Sequence, residues 1–206
     1  MKFQACAALV CLAATTVSAQ YKQTGPWTLH IKGTASNSKL NGYGQSCHAG
    51  AALEGLCYTP SIDSSSDYIF NYTTYDKVEG HNTGILTWNL PYTGEDNKLH
   101  YVSQAMSLAY QSNSNVAAAM FGFDDGFQVG WDSHNELFGY SYLDDSKFKA
   151  NKPPQPPADG KVLYQWAVCW QYNGGYYYQS VAWIQSGKPH NPTCETVEIT
   201  RKKATN

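Results

Sequence analysis

The chain has 206 residues, with 14 basic and 16 acidic side chains for a net charge of −2, alongside 16 tyrosines, 6 tryptophans and 17 glycines. So few charges, with Arg201 as the single arginine, exclude a nucleic-acid-binding protein, which needs a basic face. Arg201-Lys202-Lys203 is the one basic cluster, and it reads as a solvated C-terminal tail.

Met1-Lys2, the apolar run Phe3–Val17 and the small residues Ser18-Ala19 follow the order of a secretory signal, with cleavage expected after Ala19. The apolar run is shorter than the roughly 20 residues a membrane span needs, so no span is expected. Residues 20–206 then form a single secreted domain, expected to be monomeric and long enough to bury a sizeable core. Losing residues 1–19 removes Cys6 and Cys11 and leaves Cys47, Cys57, Cys169 and Cys194. An even number in an oxidising route predicts two disulfides among three pairings, and sequence proximity favours Cys47–Cys57 with Cys169–Cys194. Asn71-Tyr72-Thr73 is the sole N-glycosylation sequon, and its acceptor should face solvent.

In chain order, Trp27–Lys32 alternates as a strand and Thr34–Gln45 reads as a Gly, Ser and Asn loop leading to the compact apolar stretch Cys47–Tyr58. Further strands are predicted over Tyr68–Tyr72, Gly84–Leu90, Gln104–Tyr110, Ala118–Phe123, Phe127–Trp131 and Leu137–Leu143. Turn clusters such as Thr93–Asn97 and Asp124–Gly126 separate them. Ser114–Met120 has helix-forming composition but is too short to interrupt the pattern. Lys152–Pro157 lacks ladder donors at its prolines and is expected to be an exposed polyproline II connection.

The last 46 residues are the most legible. Tyr164, Trp166, Val168, Trp170 and Tyr172 alternate with smaller residues, so all five should share one face. A two-residue loop at Gly174-Gly175 pairs Tyr172 with Tyr177, Val168 with Val181 and Trp166 with Trp183. A slip of one residue would send Trp183 to the opposite face, so the aromatic pattern selects this register. Trp166, Trp170 and Trp183 are predicted core residues, Tyr178 lies on the opposite face, and Val197 and Ile199 carry the inward parity of a final strand. Many short strands with almost no helical periodicity predict an all-β fold, an antiparallel β-sandwich or flattened barrel.

Several strings, among them Cys47-His48-Ala49-Gly50-Ala51-Ala52-Leu53-Glu54-Gly55-Leu56-Cys57, Gly84-Ile85-Leu86-Thr87-Trp88, Trp166-Ala167-Val168-Cys169 and Asn191-Pro192-Thr193-Cys194, resemble those of an uncharacterised family of small secreted proteins from filamentous ascomycete fungi. The resemblance runs over most of residues 20–206. It implies secretion from a fungus and two disulfides, and it brings no catalytic or binding residue.

Candidate chemistry is sparse. Asp132, His134 and Glu136 lie at alternate positions and would line one side of an extended chain as a metal site requires, yet Asp132–Asn135 is also a polar turn that would scatter them. A glycoside hydrolase needs two carboxyls about 5–10 Å apart, and only Glu54 and Glu136 border apolar strands. No G-x-S-x-G elbow is present and no cofactor is expected. Tyr176 and Tyr178, beside a Gly-Gly turn, are candidate binding rings. The reading is a secreted binding or surface-interaction protein that takes cell-wall or host glycans on exposed aromatics, with a small glycoside hydrolase and an effector-like binder of a host protein as alternatives.

Overall fold

A computed structural model describes residues 21–63, 66–78, 80–141, 145, 148–153 and 160–204. The signal segment 1–19 and most of the proline-rich connection lie outside the described residues. The chain forms strands β1 (Lys22–Gly33), β2 (Asn41–Gly50), β3 (Leu53–Thr59), β4 (Phe70–Val78), β5 (His81–Thr93), β6 (Leu99–Ala109) and β7 (Val116–Gly122). These are followed by β8 (Val129–Trp131), β9 (Leu137–Ser141), β10 (Lys161–Leu163), β11 (Trp166–Asn173), β12 (Tyr176–Ile184) and β13 (Glu195–Lys203).

Nine strands close an antiparallel barrel in the order β5-β4-β1-β13-β11-β12-β3-β7-β6, with β6 returning to β5 from Thr87↔Ala105 to Thr93↔Leu99. Closure bonds each of these strands on both sides over at least part of its length, which is how such a sheet limits edge-to-edge association. β2 pairs with both β1 and β3, and β8, β9 and β10 branch from β5. Inside, Leu29, Ile31, Phe70, Leu86, Met106, Phe121, Trp166, Val168, Val181 and Ile199 are buried and form one continuous cluster. They come from alternate positions of their strands, as the period of two requires. On the reverse face, Val116, Ala167, Cys169, Ala182 and Ile184 form a second cluster packed against Cys194. Disulfides join Cys47 to Cys57 and Cys169 to Cys194.

The hairpin register read from the aromatics is the one observed, from Trp166↔Trp183 to Tyr172↔Tyr177. Gly174 has a φ of +58°, and a β-carbon there would fall 1.8 Å from the Ala49 carbonyl oxygen, so the turn and its seating on β2 both require glycine. Ser114–Met120 contributes to β7 rather than to any helix.

Three expectations fail. Thr34–Gln45 is a loop only to Leu40, because β2 begins at Asn41; Gly42 reads as a loop residue but is the residue whose missing side chain lets Thr59 and Pro60 approach. Trp170 is 43% exposed rather than core. β13 meets β11 only at Ala167 and Val168, and β3 and β7 meet β12 only between Ser180 and Ile184. Residues 170–179 therefore continue as a two-stranded ribbon past the barrel, and the face that is interior at Trp166 emerges into solvent. Arg201, expected in a solvated tail, lies on β13 opposite Leu29 and is half-buried on the parity of Val197 and Ile199.

Candidate functional site

Among the described residues, the projecting ribbon carries the largest group of exposed rings in mutual contact. Trp170 and Tyr177 stack with centroids 5.5 Å apart and planes inclined by 26°, and Tyr172 packs on Tyr177 at 5.0 Å. Tyr172 and Tyr177 are exposed like Trp170. Antiparallel pairing sets Tyr172 opposite Tyr177, and the period of two adds Trp170 to the same face. A cleft of about 570 Å³ runs between these rings, the polar segment Gln111–Ser114, Val116 and Ala118 of β7, Gln171 and Asn191. Its lining includes amides and hydroxyls but no acidic or basic side chain.

The loop before β13 holds Trp170 in place. Asn191 donates from Nδ2 to the Trp170 carbonyl at 2.9 Å, and the Trp170 amide donates to Thr193 Oγ1 at 2.9 Å. Asn191 Oδ1 accepts from the Thr193 amide at 3.0 Å and from the Thr193 hydroxyl at 2.7 Å, which fixes its side-chain orientation. The Cys169–Cys194 disulfide ties this loop to β11 next to the ring it positions. Gln171 is anchored by donation to Ser180 Oγ at 3.0 Å.

Tyr176 and Tyr178, the rings singled out from sequence, lie elsewhere. They stack on each other at 6.0 Å, and Tyr176 meets the His48 ring edge-on at 5.2 Å, so they belong to the ribbon face that is seated on β2. Tyr178 is half-buried, and neither ring lines the cleft. Beneath them Glu54 is 9% exposed and within 3.3 Å of His48 Nδ1. Burial raises the Glu54 carboxyl above its ordinary range, and the hydrogen bond and charge of His48 only partly oppose this.

Glu136, the other carboxyl proposed from sequence, is far from Glu54 in the strand order. It bridges to Thr200 on β13, while Glu54 lies on β3, with β11 and β12 between those two strands. Burial and then the charges of Glu198 and Asp132 raise its pKa. Asp132 caps the preceding turn. Burial alone would raise its carboxyl, but the amides of Glu136 and His134 and the Tyr164 hydroxyl hold it below the usual range. The His134 side chain is 84% exposed, with Nδ1 3.7 Å from Asp132 Oδ2. Among the described residues no three His, Cys, Asp or Glu side chains converge as metal ligands. Asn71 is partly exposed on the outer side of β4, between the inward Phe70 and Tyr72.

The cleft was missed because half of it comes from Gln111–Ser114, whose approach to β11 is a tertiary event without a sequence signal. What was readable is the Trp170, Tyr172 and Tyr177 face itself. No curated protein and no solved structure matches the chain. One family model does match, over residues 24–202 and so from β1 to β13, and the chain belongs to that family, described as a domain of unknown function (DUF7907).

Proposed function

We propose that the protein is a secreted, non-enzymatic binder of neutral glycans, held in the cleft along Trp170, Tyr172 and Tyr177. The observation that carries this reading is three exposed rings in contact with one another, facing amides and hydroxyls without a charged group in the lining. Sugar rings offer apolar C–H faces to aromatics and hydroxyls to amide partners, and the cleft holds both kinds of surface. An uncharged lining suits an uncharged polymer. Hydrolysis would need two facing carboxyls, and the cleft lining has none. Two disulfides support an oxidising destination, in line with the signal-like N-terminus and with the sequon at Asn71.

The test is retention on insoluble chitin, β-glucan and xylan, with reducing-end release measured in the same tubes. Retention without release is expected on at least one polymer, and Trp170→Ala should weaken it by about tenfold, the scale of one stacked aromatic contact. Sugar release would turn the assignment to a hydrolase. Absence of retention on every polymer would overturn it.

A further inference from the structure

Arg201 sets a charge against aromatic rings at the end of the apolar interior. Its guanidinium carbon is 4.5 Å from the Trp27 ring centroid, 4.9 Å from that of Trp131 and 6.0 Å from that of Tyr72. Nε donates to Asn135 Oδ1 at 3.2 Å, and among the described residues no carboxylate forms an ion pair with the side chain. Burial lowers the Arg201 pKa, with Tyr72 opposing, but a guanidinium stays charged at neutral pH. Desolvated cations are ordinarily matched by an anion.

The cavity beside it adds a second positive charge and neutral polar groups, but no negative one. A cavity of about 210 Å³ opens beside the guanidinium, lined also by Lys22, Thr24, Thr74 and Asn82, with no acidic side chain. Lys203 Nζ also lies over the Trp27 ring, 5.0 Å from its centroid. The indole N–H groups of Trp27 and Trp131 are buried without an acceptor, and Trp131 is only 8% exposed. Ligand sites recur at the mouths of β-barrels.

We propose that this cavity is a binding site for the carboxylate of a small acidic ligand such as a uronate, with Arg201 as its principal partner and Lys22 at its entrance. The planar fork of a guanidinium held between rings presents its terminal nitrogens edge-on, which suits bidentate pairing with a planar carboxylate. This site is separate from the glycan cleft. Arg201 lies seven residues along β13 from Cys194, about 23 Å at the rise of an extended strand, while Trp170 is beside the Cys194 end.

The experiment is a titration of the full protein with glucuronate, glucose, sulfate and phosphate at constant ionic strength, following the indole N–H resonances. Glucuronate should shift the Trp27 and Trp131 signals saturably and leave Trp170 unmoved, with glucose producing no shift at these two. Arg201→Lys should weaken binding at least tenfold. Lys22→Ala, at an exposed position that cannot disturb the fold, should weaken it several-fold. Failure of glucuronate to move either indole would overturn the site, sulfate or phosphate binding as tightly as glucuronate would overturn the carboxylate assignment, and unchanged affinity in Lys22→Ala would remove Lys22 from it. Loss of glycan retention in the cleft would leave these shifts intact, so the two assignments fail separately.

Discussion

Trp166 and Trp170 share one face of β11 four residues apart, yet Trp166 is 1% exposed with its indole donating to the Leu137 carbonyl at 2.9 Å, and Trp170 is 43% exposed. Alternation in sequence assigns a side chain to a face; it carries no information about where the neighbouring strands stop. Trp166→Ala should therefore cost about 3–5 kcal/mol in chemical denaturation, while Trp170→Ala should cost under about 1 kcal/mol and weaken glycan retention about tenfold. Equal costs would place Trp170 in the core after all. Glu54 offers a second test. Its raised pKa means that the folded protein binds the proton more tightly than the unfolded chain. Stability is then lost as pH rises from the ordinary glutamate value through the raised one. Glu54→Gln removes that penalty and keeps an acceptor for His48, so its melting temperature should exceed the parent's at neutral pH, with the advantage shrinking as pH falls to about 4. A variant less stable than the parent at neutral pH would show that the His48 contact outweighs burial. Arg201 was misread for the same reason as Trp170: in isolation Arg-Lys-Lys looks like a solvated end, and only pairing with β1 turns the first of the three inward.

Among the elements, the β11–β12 hairpin was legible down to its register, because a slip would have moved Trp183 and Val181 to the face opposite Trp166 and Val168. Its partner across the cleft was not, since Gln111–Ser114 is a polar segment with nothing to mark where it docks. The element that links them is the loop ending at Cys194. In the loop-entropy model each disulfide contributes roughly 3 kcal/mol, slightly more for the 25-residue separation of Cys169–Cys194 than for the 10 of Cys47–Cys57. Their functional weights should differ more. Replacing Cys169 and Cys194 by alanine frees the loop whose Asn191 and Thr193 hold the Trp170 backbone, so glycan retention should fall together with stability. Denaturant midpoints and retention measured on both double variants check this, and equal retention in the two would show that the bridge does not position the ring.

At the scale of the whole molecule, strand content and antiparallel order could be read from alternation and turn spacing, but the choice between sandwich and barrel could not. Closure depends on β6 meeting β5 and on β3 and β7 meeting β12, contacts between segments far apart in the chain whose patterns fit either architecture. The closed barrel has a consequence for stability that a sandwich with a free hairpin would lack. Every strand in the ring is bonded on both sides over at least part of its length, so Leu29, Ile31, Val197 and Ile199 cannot lose their packing unless the ring opens. Beyond Trp170, which the Asn191–Thr193 loop holds, the strand ladder of the ribbon is paired only within the hairpin, and its exposed rings bury little area. Hydrogen exchange under native conditions should then divide into two classes. Amides of β1 and β13 should exchange only through global unfolding, and those from Tyr172 to Tyr178 through a local opening of lower free energy. A glycan occupying the cleft should slow the second class and leave the first unchanged, because it binds the ribbon rather than the ring. Ribbon amides as protected as those of β13 would mean that the tip, seated on β2 at Gly174, unfolds with the barrel and is not an independently opening unit.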